Sequence, residues 1–201
     1  MLRLGITGGL AAGKSVAARF FTDRGAYHFD ADLEAKQILL ESPEVHAEIA
    51  AAFGEDLISP SGTVDTALLA ARSFADPALQ QTLNGILHPR VIAEAQRQMA
   101  KAAVSGSAWF ILDAPLLFEA GLEAYLDRTL LIVADEALRI ERALARGRLT
   151  EQDIRRRMGL QMPDSEKRRR ADMTIENNGS MAEFEEKLKR AYRELQGLPP
   201  A

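Results

Sequence analysis

Eight residues near the amino end, Gly8-Gly9-Leu10-Ala11-Ala12-Gly13-Lys14-Ser15, place backbone freedom, a cation and a hydroxyl in one short run. Glycines let successive N–H groups curl inward around an anion, and a helix opening at the end of the run turns its positive pole to the same point. A lysine directly after the last glycine can span the β- and γ-phosphates of a nucleoside triphosphate, and the serine behind it can ligate Mg²⁺. The run fits the pattern Gly, four residues, Gly-Lys-Ser/Thr, so Gly8, Gly9, Ala11, Ala12, Gly13, Lys14, Ser15 and Val16 are candidate nucleotide-binding positions.

Phosphoryl transfer also needs acids and further cations. Asp113 closes the apolar run Trp109-Phe110-Ile111-Leu112, which suits a Walker-B-type partner to magnesium; capping the next turn is the alternative. Asp30-Ala31-Asp32 offers two carboxylates, one of which could orient or deprotonate an attacking hydroxyl, although a helix-capping pair would look the same. Arg142 and Arg146 are four apart, on one helical face, with Arg139 one turn earlier; together they could form a mobile lid that neutralises phosphates and excludes water. Arg155, Arg156, Arg157 and the run Lys167 to Arg170 read as solvated faces. His88-Pro89-Arg90 looks like a helix junction, with Arg90 able to meet an anionic acceptor, and Trp109 reads as core.

These residues need a scaffold. Leu2 to Thr7, Tyr27 to Phe29, Trp109 to Leu112, Thr129 to Ala134 and Met173 to Ile175 read as strands, most of them followed by helical periodicity. Helices are expected from Val16 to Phe21 with a stop at Gly25, then through Leu40, over Glu136 to Arg146, over Thr150 to Leu160 with a capping-box-like start, and over Ala182 to Leu195 before Pro199-Pro200. From Pro43 to Ser105 the pattern is almost wholly helical, with breaks expected at Pro60-Ser61-Gly62, Asp76-Pro77 and His88-Pro89. Alternating strands and helices predict an α/β fold with a parallel five-stranded sheet flanked by helices, whose ligands sit at the carboxyl ends of the strands. The expected organisation is a single domain over 1–201, with core segments 1–42, 106–138 and 171–201, a helical substrate-binding region 43–105 and a lid region 139–170.

Composition sets the outer limits. The chain has 201 residues, 47% hydrophobic and 27% charged, which matches a globular protein, and no apolar run is long enough to span a bilayer. The start Met1-Leu2-Arg3-Leu4 leads straight into the glycine run, so a cytoplasmic protein without a membrane partner is expected. There is no cysteine, which removes disulfides and thiolate sites, and the three histidines His28, His46 and His88 lack ligand spacing. The net charge of -4 is uneven, because residues 139–170 are strongly basic and the rest is acidic. That asymmetry suggests an anionic ligand.

With Thr7-Gly8-Gly9, Gly13-Lys14-Ser15, Asp30-Ala31-Asp32, His88-Pro89, Asp113-Ala114-Pro115-Leu116-Leu117-Phe118-Glu119, Arg142, Arg146, Gln161, Ala171-Asp172 and Ile175 to Gly179, the chain resembles the dephospho-coenzyme A kinase family over nearly its whole length. The resemblance implies a P-loop kinase core with a helical substrate region and an arginine-bearing lid. It also implies ATP and Mg²⁺ as cofactors, and transfer to the ribose 3′-hydroxyl of dephospho-coenzyme A. On the same ground Asp32 is the base or orienting carboxylate, Lys14 and Arg142 stabilise the phosphoryl group, Arg146 belongs to the lid, Asn177 lies near the adenine, and His88, Arg90 and Leu116 touch the acceptor. Ala11-Ala12 and Val16 stand where the family often has Gly-Ser and Thr, and a Cβ at 11 or 12 restricts positive φ, so altered loop geometry and nucleotide affinity are expected.

Other classes remain. A GTPase-type switch would need Asn-Lys-x-Asp and Asp-x-x-Gly, which are missing. A nucleic-acid binder would need a wider basic surface or stacking aromatics, which stand at 6%, so no nucleic-acid partner is expected. A kinase for another small hydroxyl acceptor, such as a nucleoside monophosphate or shikimate, is the closest competitor. A monomer or weak homo-oligomer fits the sequence equally well.

Overall fold

The computed structural model describes residues 1–147 and 149–197, apart from the side chain of Phe74; Arg148 and the expected stop at Pro199-Pro200 lie outside the described residues. Two compact units emerge, one of residues 1–30 together with the chain from Gln98 on, the other of Ala31–Arg97.

The first unit is built on five parallel strands, β1 (Leu2–Gly8), β2 (Tyr27–Asp30), β3 (Trp109–Asp113), β4 (Arg128–Val133) and β5 (Met173–Glu176), in the order β2-β3-β1-β4-β5. Strands buried on both faces carry continuous apolar runs, and every residue of β3 is buried. Around them stand α1 (Lys14–Thr22), α6 (Glu136–Ala145), α7 (Glu151–Gly159), α8 (Asp164–Arg170) and α9 (Met181–Gln196). Leu4, Ile6, Phe21, Ile111, Ile132 and Leu188 belong to one apolar cluster, each worth about 1.5–3 kcal/mol of burial. Trp109 is core as expected, its ring stacked on Tyr192 with centroids 5.2 Å apart. The start of α7 matches its sequence signal, with the Thr150 hydroxyl accepting from Asp153 N.

The second unit is helical: α2 (Ala31–Glu41), α3 (Pro43–Phe53), α4 (Thr66–Ala75) and most of α5 (Pro77–Val104), which passes into the first unit at Gln98. Its own core holds Val45, Ile49, Phe53, Leu57, Leu69 and Leu87. The expected breaks at Pro60-Ser61-Gly62 and Asp76-Pro77 are present. The expected break at His88-Pro89 is not, because α5 runs through Pro89. Proline removes one N–H bond and presses its ring on the carbonyl four residues back. Here buried Ile86, Leu87, Val91 and Ala95 tie down the helix on both sides of the proline.

Candidate active site

Strand order decides where the chemistry collects. In register, Asp30 stands beside Asp113 and Asp113 beside Ile6, so β2 and β3 end level and β1 runs two residues further, to Gly8 beside Ile132. The glycine run leaves β1 at this edge and turns into α1. Gly13 is the N-cap, at φ 112° and ψ 11°, a left-handed conformation that costs glycine nothing. No side chain caps α1, whereas Ser42, Asp65, Thr150 and Ser180 accept backbone N–H bonds at the starts of α3, α4, α7 and α9. The start of α1, like those of α6 and α8, has no side-chain cap, so its first amides are open to an anion.

Side chains distant in sequence hold the loop. Leu10 N donates to Gln161 Oε1 at 3.1 Å and Leu10 O accepts from Arg139 Nε at 2.9 Å. Asn177, buried, donates through Nδ2 to Ala12 O at 2.8 Å. Gly9 and Gly13 leave room for this, since a Cβ at either would collide with Arg139 or Asn177. Asn178 in turn bonds Asp135, at the start of α6, through both ends of its amide.

Lys14 Nζ pairs with Asp113 Oδ1, and His28 Nε2 lies 3.7 Å from Asp113 Oδ2. Burial alone would raise the Asp113 carboxyl, but the His28 ring close to it and the paired Lys14 charge outweigh that and hold Asp113 below the usual carboxylate range. Asp113 is thus a buried, ionised oxygen donor. Ser15 follows Lys14 on the first turn of α1 and is exposed. Arg142, on α6, carries a buried Nη1 with no hydrogen-bond partner among the described residues. An unsatisfied buried guanidinium N–H calls for an anion. Arg146 caps the end of α6 and is exposed, and Leu116 is half-buried in the turn after β3. A cavity of about 430 Å³ opens beside the braces, lined among others by Ala134, Glu136, Arg139, Met158, Gln161 and Asp164.

The second unit holds the other expected residues. Asp32 is exposed in the first turn of α2, with only Ala31 between it and Asp30 in the chain. His88 is half-buried on α5. Arg90 grips Glu48 at 2.6 and 3.3 Å and donates to Ile86 O at 2.6 Å.

The basic stretch departs from expectation at both ends. Arg139 is no part of a mobile face: it is buried, bonded to Leu10 O and paired with Asp164 at 3.0 Å. Lys167, read as solvated, is fully buried and donates to Pro115 O at 2.9 Å and Glu119 Oε1 at 3.1 Å. A run of four cations hid it, because one helical turn of α8 must face inward wherever the run packs. His28 lacks metal spacing in the sequence, yet strand alternation puts it on the same side of β2 as Asp30. That period was the available signal.

Comparison with known proteins agrees with this geometry. A family profile described as Dephospho-CoA kinase matches residues 2–183. A Dephospho-CoA kinase from Deinococcus radiodurans is 46% identical over 194 residues, 96% of this chain and 92% of that protein. Among solved structures, a Thermus thermophilus protein is similar at 33% identity with a TM-score of 0.76, covering 98% of both chains. A dephospho-CoA kinase from Campylobacter jejuni is similar at 25% identity with a TM-score of 0.70, covering 96% of both.

Proposed function

The chain belongs to the dephospho-CoA kinase family of ATP-dependent kinases, and from that premise we propose that it transfers the γ-phosphoryl of ATP to the ribose 3′-hydroxyl of dephospho-CoA. The observation that carries the reading is the uncapped start of α1 beside the Lys14–Asp113 pair at the carboxyl ends of β1, β2 and β3. In the free protein Lys14 is neutralised by Asp113. A triphosphate seated on the loop amides presents a denser anion, so Lys14 leaves Asp113 for the phosphates and is in place as charge builds on the leaving oxygen. Arg142 adds its unsatisfied Nη1 to the transferring group.

Mg²⁺ fits the donor set. Ser15 and Asp113 are hard oxygen donors, and among the described residues no cluster of three or more acidic or histidine side chains is arranged for a metal. One or two protein oxygens plus phosphate oxygens is the usual way a protein holds Mg²⁺. Bound there, the ion would offset the charge of the phosphates.

Asp32 takes the role of base or orienting carboxylate for the acceptor hydroxyl, with His88, Arg90 and Leu116 assigned to the acceptor on the family pattern. Arg146 and Asn177 are assigned to the nucleotide, Asn177 through the loop main chain it holds. One catalytic domain, with residues 43–105 serving the acceptor and 139–170 the lid, and a cytoplasmic setting without nucleic-acid or membrane partners, complete the reading. No described helix is long and apolar enough to cross a membrane.

The test is turnover by purified protein with Mg-ATP and a panel of acceptors, ADP release being followed. Dephospho-CoA should outpace water, shikimate and nucleoside monophosphates by orders of magnitude. Turnover with another acceptor and none with dephospho-CoA would replace the substrate and leave the kinase. Asp32→Asn should cut turnover about a hundredfold or more while ATP affinity stays nearly intact.

A further inference from the structure

The loop contains one residue that should resist its conformation. Ala11 sits at φ 59°, among the described residues the one non-glycine with positive φ. It occupies the third position of a turn closed by Ala12 N donating to Gly9 O at 3.1 Å, where positive φ normally selects glycine. An L side chain in the left-handed region is strained, so something outside the turn must hold it.

We propose that Gln161 is a positioning residue which, with Arg139, locks the peptides flanking Leu10 and so keeps Ala11 in its strained conformation before nucleotide arrives. Leu10 is gripped on both sides: its N–H by Gln161 Oε1 and its carbonyl by Arg139 Nε. Gln161 can act this way because its own segment is anchored. Its N–H donates to Met158 O at 3.2 Å, Met162 N donates to Glu119 Oε1 at 2.8 Å, and buried Lys167 pairs with that same Glu119. Arg139 is held by Asp164, three residues beyond Gln161. The segment after α7 therefore works as a bracket for the phosphate loop. Without it, the turn relaxes toward a form whose amides no longer converge, and the fraction of chains ready for a triphosphate falls.

This inference rests on the reading that the loop binds ATP phosphates, but its test needs no acceptor. Dissociation constants for Mg-ATP are measured by calorimetry for the parent, Gln161→Met, Ala11→Gly and the double variant. Gln161→Met removes the acceptor at similar volume and should weaken ATP about fivefold. The same change in the Ala11→Gly chain should cost less than about twofold, since glycine keeps the turn unaided. Turnover at saturating ATP should stay within about twofold of the parent, because ATP itself reforms the loop. Amide exchange gives a second readout without nucleotide: the Leu10 N–H should be protected in the parent and exchange about tenfold faster in Gln161→Met. Equal losses of ATP affinity with and without Ala11→Gly, no loss in either chain, or an unprotected Leu10 amide in the parent would overturn the proposal. Absent turnover with dephospho-CoA would count against the substrate alone.

Discussion

Within residues 139–170 the cations form two populations that sequence does not separate. Arg139, Arg142 and Lys167 turn inward, two of them buried and joined to partners across the fold, the third holding a buried N–H without a partner. Arg155, Arg156 and Arg168 face water and pair with Glu136, Glu151, Asp153 and Glu176 on the same or neighbouring elements. The same residue type can brace the fold, keep an N–H without a partner or contribute almost nothing according to how much water surrounds it, because desolvation multiplies both the attraction to a partner and the penalty of losing it. Four experiments test that division, beginning with the largest effect.

Arg142→Ala should lower kcat by about a thousandfold, the scale of removing a cation aimed at a transferring phosphoryl group. Its melting temperature should hardly move, since Nη1 gives up no bond in the free protein. Steady-state kinetics beside a thermal melt would read both. A large fall in melting temperature with kcat intact would move Arg142 to the structural group.

Lys167→Met should be the most destabilising change in the stretch, by about 3–5 kcal/mol, because Glu119 loses its buried cation and keeps only the Met162 N–H, with its Oε2 already unpartnered. Adding Glu119→Gln should recover much of the loss. Urea midpoints for the single and double variants decide this, and equal destabilisation in both would show that packing, rather than charge, is what Lys167 supplies.

Lys14 and Asp113 make a third inward pair, and its sign with pH is fixed. Asp113 is held below its ordinary value in the fold, so the stability it adds is complete above the unfolded carboxylate value and drains away as pH falls through the folded one. Melting temperature followed downward from neutral pH should fall in that acid window for the parent and flatten there for Asp113→Asn. An unchanged profile would mean that Lys14 and His28 do not hold the carboxylate as the geometry implies.

These contrasts explain what could be read in the residues alone. Strand ends at Asp30 and Asp113, the turn at Gly8–Ser15 and the cap at Thr150 follow from local pattern, because each rests on neighbours within a few positions. The Cβ expected to restrict positive φ at Ala11 does not prevent it, since Ala11 sits at φ 59°, where a glycine would be at ease. The braces from Arg139, Gln161 and Asn177 and the burial of Lys167 reach across more than fifty positions of chain or depend on which turn of a charged helix packs inward, and no local period carries that information. Pro89 inverts the lesson, as a strong local breaker that lost to packing on both sides of it.

The smallest effect belongs to Arg155. Its side chain is 54% exposed, and it touches both Glu136 and Glu151, the latter one helical turn away. An exposed pair of this kind gains little Coulomb energy in water and spends part of it ordering two long side chains, so Arg155→Ala should shift stability by no more than about 0.5 kcal/mol. Whatever remains should vanish in about 1 M salt, where the screening length shrinks to about 3 Å. Chemical denaturation at low and high salt measures it. A loss of several kcal/mol that persists in salt would mean that Arg155 is as desolvated in solution as Lys167, and the division between the inward and outward cations would no longer stand.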